Sequence, residues 1–428
     1  MKRSKLILSA TVVAAVGLLL GACGNGGGSA SSKDTTTVDV FNIKVETKDQ
    51  LDELAKKYEE THDGVKINVT TVGGGQDANA ALQSKFSSGD EPSVFLLGGL
   101  ADVEKWGDSL ADLSDTKLAE TAIEGTLDGA TKDGKVYGLP MNIEGFGLLI
   151  NKELFKKAGI DVEDIKSYQD FEKAVKTLDS KKEDLGMKAV FGFSAKEFWV
   201  VSQYSAHFTS PEFDDNLQKI YDAKTIDFKY GDQFKKYTDL INKYNVQPIL
   251  SLDYSTSVEE DFANDQVAIV HQGNWIVPTL NSLDPEFTQD KLGILPLYVK
   301  DDTDGKIAAG APWYWGVNKN KDEKVVEASK DFLEWLYTDK DAMKVVTDEM
   351  EFIPAYTNFS SDAISDPTSK QIFDYLSDGK VVPWAHNQYP DGFSQTQFYP
   401  EFQKYLNGDI SWDEVMTKGK EAWASDRK

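Results

Sequence analysis

Residues 38–99 run VDVFNIKVETKDQLDELAKKYEETHDGVKINVTTVGGGQDANAALQSKFSSGDEPSVFLLGG, and their pattern decides the fold. Residues 38–43 form an apolar strand. Thr47 can cap a helix in which Leu51, Leu54, Ala55 and Tyr58 share one face. Val65, Ile67 and Val69 alternate with polar neighbours, which is a strand pattern. A glycine-rich loop, residues 73–77, leads into a helix at 78–88. Gly89 stops that helix and Pro92 cannot continue it. Residues 93–97 give a third strand, closed by Gly98 and Gly99. Strand, helix, strand, helix, strand implies a parallel sheet with helical crossovers. In such α/β sheets ligands sit beyond the carboxyl ends of the strands, where loops 73–77 and 98–99 fall.

Outward from this unit the pattern is more mixed. Residues 145–151 suit a strand, and 152–158 a helix ended by Gly159. Residues 167–178 and 232–244 are amphipathic helices. A short apolar strand at 266–271 runs into Gly273-Asn274-Trp275. Residues 292–298 and 314–318 are further strands, and 323–337 is a helix. Beyond Asp366 the chain suits helices with loops. There is no internal repeat.

Upstream lies a different kind of segment. Lys2, Arg3 and Lys5 precede an uncharged apolar stretch at 6–20, then Leu20-Gly21-Ala22-Cys23. A basic head, an apolar stretch and small residues before a cleavage point describe a secretory leader, here residues 1–22. The stretch is short for a membrane-spanning helix, which needs about 20 apolar residues. Residues 24–37, rich in Gly, Ser and Thr, have the composition of a flexible tether.

Cys23 is the sole cysteine, which excludes a disulfide framework and a cysteine-based zinc site. The 406 residues after the leader are enough for two domains or three. With 40% hydrophobic residues the body can bury sizeable cores. The formal charge of −25 becomes −28 without the leader's three cations, and such a surface repels nucleic acid. Nine Trp and 17 Tyr supply many large flat side chains, most of them needed for packing.

Catalytic patterns are missing. There is no Walker-type phosphate loop, GxGxxG, GxSxG or HExxH. Asp301-Asp302-Thr303-Asp304-Gly305 lacks the ligand spacing of a calcium loop and suits a solvated turn. No metal or cofactor is expected. With 71 carboxylates, pairs at glycosidase spacing arise by chance. Nothing singles one out, so an anchored glycosidase remains an alternative.

Three segments carry a family resemblance. The first is Val136-Tyr137-Gly138-Leu139-Pro140, with Asn142, Glu144, Leu149-Ile150-Asn151-Lys152 and Leu154-Phe155-Lys156-Lys157-Ala158-Gly159-Ile160. The second runs from Asp261-Phe262-Ala263 through Val267-Ala268-Ile269 to Gly273-Asn274-Trp275. The third is Ala309-Gly310-Ala311-Pro312-Trp313-Tyr314-Trp315-Gly316-Val317, leading into a helix with Ala328, Phe332, Leu333 and Leu336. Together, in this order, they resemble the sugar-type solute-binding proteins of bacterial ABC importers. Leu20-Gly21-Ala22-Cys23 resembles the lipobox of bacterial lipoproteins, in which the cysteine is lipidated. Two positions depart from the pattern: Ile150 stands where an aromatic is usual, and Ser93-Val94 where Asp-Val is common. They leave the ligand subfamily open.

The resemblance implies two discontinuous α/β domains around a hinged cleft, the periplasmic-binding-protein type II arrangement. They would comprise 38–143 plus 310–355 and 144–309 plus 356–428, with crossings near 142–144, 307–312 and 356–359. It implies a monomeric, non-enzymatic receptor at the outer face of a Gram-positive membrane, anchored through Cys23. The receptor would deliver an oligosaccharide to permease subunits. A peptide, polyol or glycerophosphodiester cargo is the alternative within the same architecture.

A pyranose packs its C–H faces on aromatic rings and offers its hydroxyls to amides and carboxylates. By position in the family pattern, Trp275 is the first platform, with Asn274 beside it, and Trp313 the second. Trp313 and Trp315 fall on one side of an extended chain, where one of them can serve the core. Trp199 and Trp384 are candidate walls from the second domain. Asn142 and Glu144 at the first crossing, Gln76 and Asp77 in the loop after the second strand, and Glu46 after the first strand are candidate hydroxyl partners. Trp335 shares a helix face with Phe332 and Leu336 and belongs to the core.

Overall fold

The computed structural model describes residues 35–72, 78–301 and 304–427. The leader, Cys23, and the candidates Gln76 and Asp77 lie outside the described residues, as does the Glu46 side chain.

Two mixed sheets organise the body. In the first, β1 (Thr36–Asn42) pairs in parallel with β2 (Val65–Thr71) on one side and β3 (Val94–Leu97) on the other. Thr36 and Thr37, expected in the tether, already pair with Val65 and Lys66, as suits β-branched residues. A small hairpin joins β4 (Thr131–Lys132) and β5 (Lys135–Val136). The short β6 (Leu139–Pro140) then returns to the edge of the first sheet.

The second sheet is built on β7 (Glu144–Asn151), buried along its whole length. It pairs antiparallel with β8 (Ile269–Gly273), β9 (Leu292–Leu295) and β11 (Gly305–Gly310). β10 (Leu297–Tyr298) extends the sheet beyond β11. β12 (Tyr314–Val317) goes back to the first sheet, antiparallel between β3 and β6. β13 (Val381–Val382) pairs with β11, inside the region expected to hold only helices and loops. Two residues are too few for a periodic signal.

The chain therefore passes from the first sheet to the second after Pro140 and back between Gly310 and Tyr314. Near Ile353 it runs beside the first crossing again. There Met141 N–H donates to Trp313 O at 2.9 Å, and Ile143 N–H to Ile353 O at 2.8 Å. Tyr356 bridges to Ala122, after which the helix Pro367–Ser377 packs on β7, β9 and β11.

Local signals explain the main elements. The helix Lys48–Thr61 buries Leu51, Leu54, Ala55 and Tyr58, the face set by their spacing. Thr47 starts it without a side-chain capping bond, and its hydroxyl is buried with no partner among the described residues. After β7, Asn151 Oδ1 accepts from Glu153 and Leu154 N–H and caps the helix Lys152–Lys157. Gly159 follows at φ +76, a left-handed stop that favours glycine. β8 begins later than expected and runs to Gly273, because its partner β7 offers register from Ile150 back to Phe146. Trp335 packs edge-on to Tyr58 at 5.4 Å and stacks with Phe332, on the core side of the helix Glu323–Thr338.

Candidate functional site

A cleft of about 1020 Å³ opens between residues following first-sheet strands and residues of the second-sheet side. Lys44, Gly98, Asp102 and Trp313 line it from the first; Glu144, Trp199, Tyr254, Trp275 and Trp384 line it from the second.

Four of the rings form a row. Tyr254 and Trp199 have centroids 5.9 Å apart, Trp199 and Trp275 6.2 Å, and Trp275 and Trp384 6.2 Å. Trp275 is held by its local sequence. A Cβ on Gly273 would strike its ring and the Gly145 carbonyl, so only glycine lets the indole fold back over the strand end. Asn274 Oδ1 accepts from Gly145 N–H at 2.9 Å, and the Trp275 indole N–H donates to Gln272 Oε1 at 2.9 Å. The Trp384 indole donates to Glu144 O at 3.1 Å. Trp199 enters on the first turn of the helix Phe198–Thr209, whose residues from Val200 onward are buried.

Trp313 sits just before β12, and a Cβ on Gly98 would come 3.3 Å from its ring. Trp315 is a correction: it is 1% exposed in the core, with its indole donating to Tyr337 OH at 3.0 Å. The two tryptophans differ because only Trp315 lies within the paired strand, whose inner face meets the core.

Polar groups at the cleft base are already paired. The Lys44 ammonium lies 2.9 Å from Glu144 Oε1, and Asn142 Nδ2 donates to the same oxygen at 3.1 Å. Asn142 and Asn274 are both buried and support the site from behind without lining the cleft. Asn142 is spent on the Glu144 carboxylate and Asn274 on the Gly145 backbone N–H. Asp102 accepts from Gly98 N–H at 2.7 Å; burial raises its carboxyl above the ordinary range against the pull of that N–H and of Lys105. Gln203 Oε1 and His386 Nδ1 are buried with no hydrogen-bond partner among the described residues, and both residues line the cleft. Burial brings the His386 imidazole down to about 3 and keeps it neutral.

Sequence reasoning missed Tyr254, Gln203 and the whole segment 386–395. Only Tyr254 carried a signal, as an aromatic beyond a buried turn; the 386–395 segment has no periodicity. Its Asn387 Nδ2 donates to Gly98 O at 2.9 Å and Pro312 O at 3.2 Å, and Gln388 Oε1 accepts from Leu100 N–H at 3.0 Å.

This architecture defines a two-sheet, cleft-bearing receptor of the periplasmic-binding-protein type II class. The chain belongs to the bacterial extracellular solute-binding protein family, which its residues 44–343 match. That family places it outside the cell. The multiple sugar-binding protein of Streptococcus mutans is 24% identical over 298 residues, covering 67% of this chain and 69% of that one. The raffinose complex of RafE superposes with a TM-score of 0.74 at 18% identity, covering 92% of this chain and all of that one. A chitin oligosaccharide binding protein gives a TM-score of 0.74 at 22% identity, covering 92% of this chain and 99% of that one. At these identities the two structures speak for the fold.

Proposed function

We propose that the cleft binds a short oligosaccharide and that the protein hands it, unchanged, to an ABC permease. The row Tyr254, Trp199, Trp275 and Trp384 carries this reading, because a row of aromatic rings along a cleft suits the C–H faces of successive sugar units. Gln203 beside the row offers an amide to hydroxyls. Lys44 is balanced by Glu144, which suits an uncharged cargo. The names of the similar proteins, which speak of multiple sugars, raffinose and chitin oligosaccharide, support a carbohydrate ligand.

The protein acts as a monomer whose two domains, 38–143 plus 310–355 and 144–309 plus 356–428, close on the ligand like a hinge. Lipid on Cys23 holds it at the outer face of a Gram-positive membrane, close to its permease. Of the cleft carboxylates, Glu144 is bound to Lys44 and Asn142, and Asp102 to Gly98 N–H, while Asp391 is exposed at the rim.

The test is to incubate the purified protein with mixed oligosaccharides and recover what it retains. Intact ligand, retained in stoichiometric amount, supports the receptor. Steady release of new reducing ends contradicts it. Melting-temperature shifts across sugars, polyols and peptides identify a different cargo.

A further inference from the structure

The cleft wall has a shape as well as a composition. Tyr254 and Trp199 are inclined at 51°, Trp199 and Trp275 at 68°, and Trp275 and Trp384 at 65°. No two neighbouring platforms approach coplanarity. β-1,4-linked glucose or mannose forms a straight ribbon whose ring faces stay nearly parallel, and such a ribbon can lie on only one of these platforms at a time. A chain whose linkages rotate each unit against the last can follow the turn from ring to ring.

The row also has unlike ends. Beyond Trp384 comes His386, 5.1 Å away between ring centres, and then the bridge of Asn387 and Gln388 to Gly98, Leu100 and Pro312. That bridge joins the second-sheet side to the loop after β3. Gly99 makes room for it, since a Cβ there would strike the Gln388 amide. Trp384 at this end is 7% exposed, whereas Trp199 and Tyr254 towards the other end are half-buried. A groove closed at one end admits a chain only by its terminal unit.

We propose, on the carbohydrate reading above, that the cleft selects a short, strongly curved oligosaccharide entering by one end, and rejects flat ribbon chains. The terminal unit lies against Trp384 beside Glu144, and later units turn over Trp275 and Trp199 towards Tyr254 and solvent.

Calorimetric titration of the full receptor with tetrasaccharides tests this. The curved set is α-1,4-linked glucose, α-1,6-linked galactose and β-1,3-linked glucose. The flat set is β-1,4-linked glucose and β-1,4-linked mannose. The tightest ligand should come from the curved set and exceed every flat chain by about tenfold or more. A flat chain that binds as tightly as the best curved one overturns the proposal and leaves the carbohydrate reading standing. Absence of binding by both sets, with no melting shift from any other sugar, overturns both. A bulky aryl group on one terminus of the best ligand should abolish binding, while on the other it changes affinity by about threefold or less. Equal tolerance at both termini overturns the closed end.

Discussion

The Lys44 ammonium and Glu144 Oε1 lie 2.9 Å apart and buried, and the pair links the residues after β1 of one sheet to the start of β7 in the other. Taking two charges out of water is costly, and each partner offsets the cost for the other. Lys44→Met strands the carboxylate beside Asn142 and should cost about 3 kcal/mol in urea denaturation. The double variant Lys44→Met/Glu144→Leu should recover much of that loss. Equal stability of wild type and Lys44→Met would show that the pair is not a structural tie.

The tryptophans should separate by role. Trp199→Ala and Trp275→Ala should each weaken oligosaccharide binding about tenfold, read by titration. Trp315→Ala should instead lower stability by about 3–5 kcal/mol, with the affinity of the folded fraction little changed. Reversed outcomes at Trp275 and Trp315 would contradict the placement of the cleft.

Two buried histidines lie behind the wall and a third, His386, lies in it. Phe146 has ring centres 5.4 Å from His207, 5.8 Å from His271 and 5.6 Å from His386, and 5.1 Å from Trp384 in the cleft. Burial brings His207 down to about 3, and holds His271 well below its ordinary value, with His207 adding to the effect. An unfolded imidazole titrates near 6.5. These depressed groups contribute stability that is complete above about 6.5 and is lost as pH falls below it, for His207 until about 3. At pH 5, His207 should cost about 2 kcal/mol relative to pH 7, and His271 should add to that loss. Denaturation midpoints at both pH values should show this drop, and His271→Phe should reduce it. An identical pH dependence in that variant would contradict the account.

Anchoring is testable by location. Cys23→Ser should move the protein from the membrane fraction into the medium, with its sugar affinity unchanged. Retention of the variant at the membrane would mean that something other than lipid on Cys23 holds it.

The fold was legible where periodicity and caps are strong. The face of the helix Lys48–Thr61 followed from its spacing, and Gly159 marked the end of the helix Lys152–Lys157. Trp275 was picked out by its place in the family pattern after the Gly273-Asn274 turn, and it lines the cleft. Trp313 and Trp315 could not be told apart, since their difference depends on which residue β3 and β6 pair with. The bridge from Asn387 to Gly98 joins residues 289 apart in a segment with no regular pattern, so only tertiary structure reveals it.

Tryptophan fluorescence titration tests the central claim most directly, because the sensing rings are the proposed binding surface. An oligosaccharide panel should give a saturable change in wild type that Trp199→Ala and Trp275→Ala weaken by about tenfold or more. Saturable binding that neither substitution alters would place the ligand elsewhere and contradict the account.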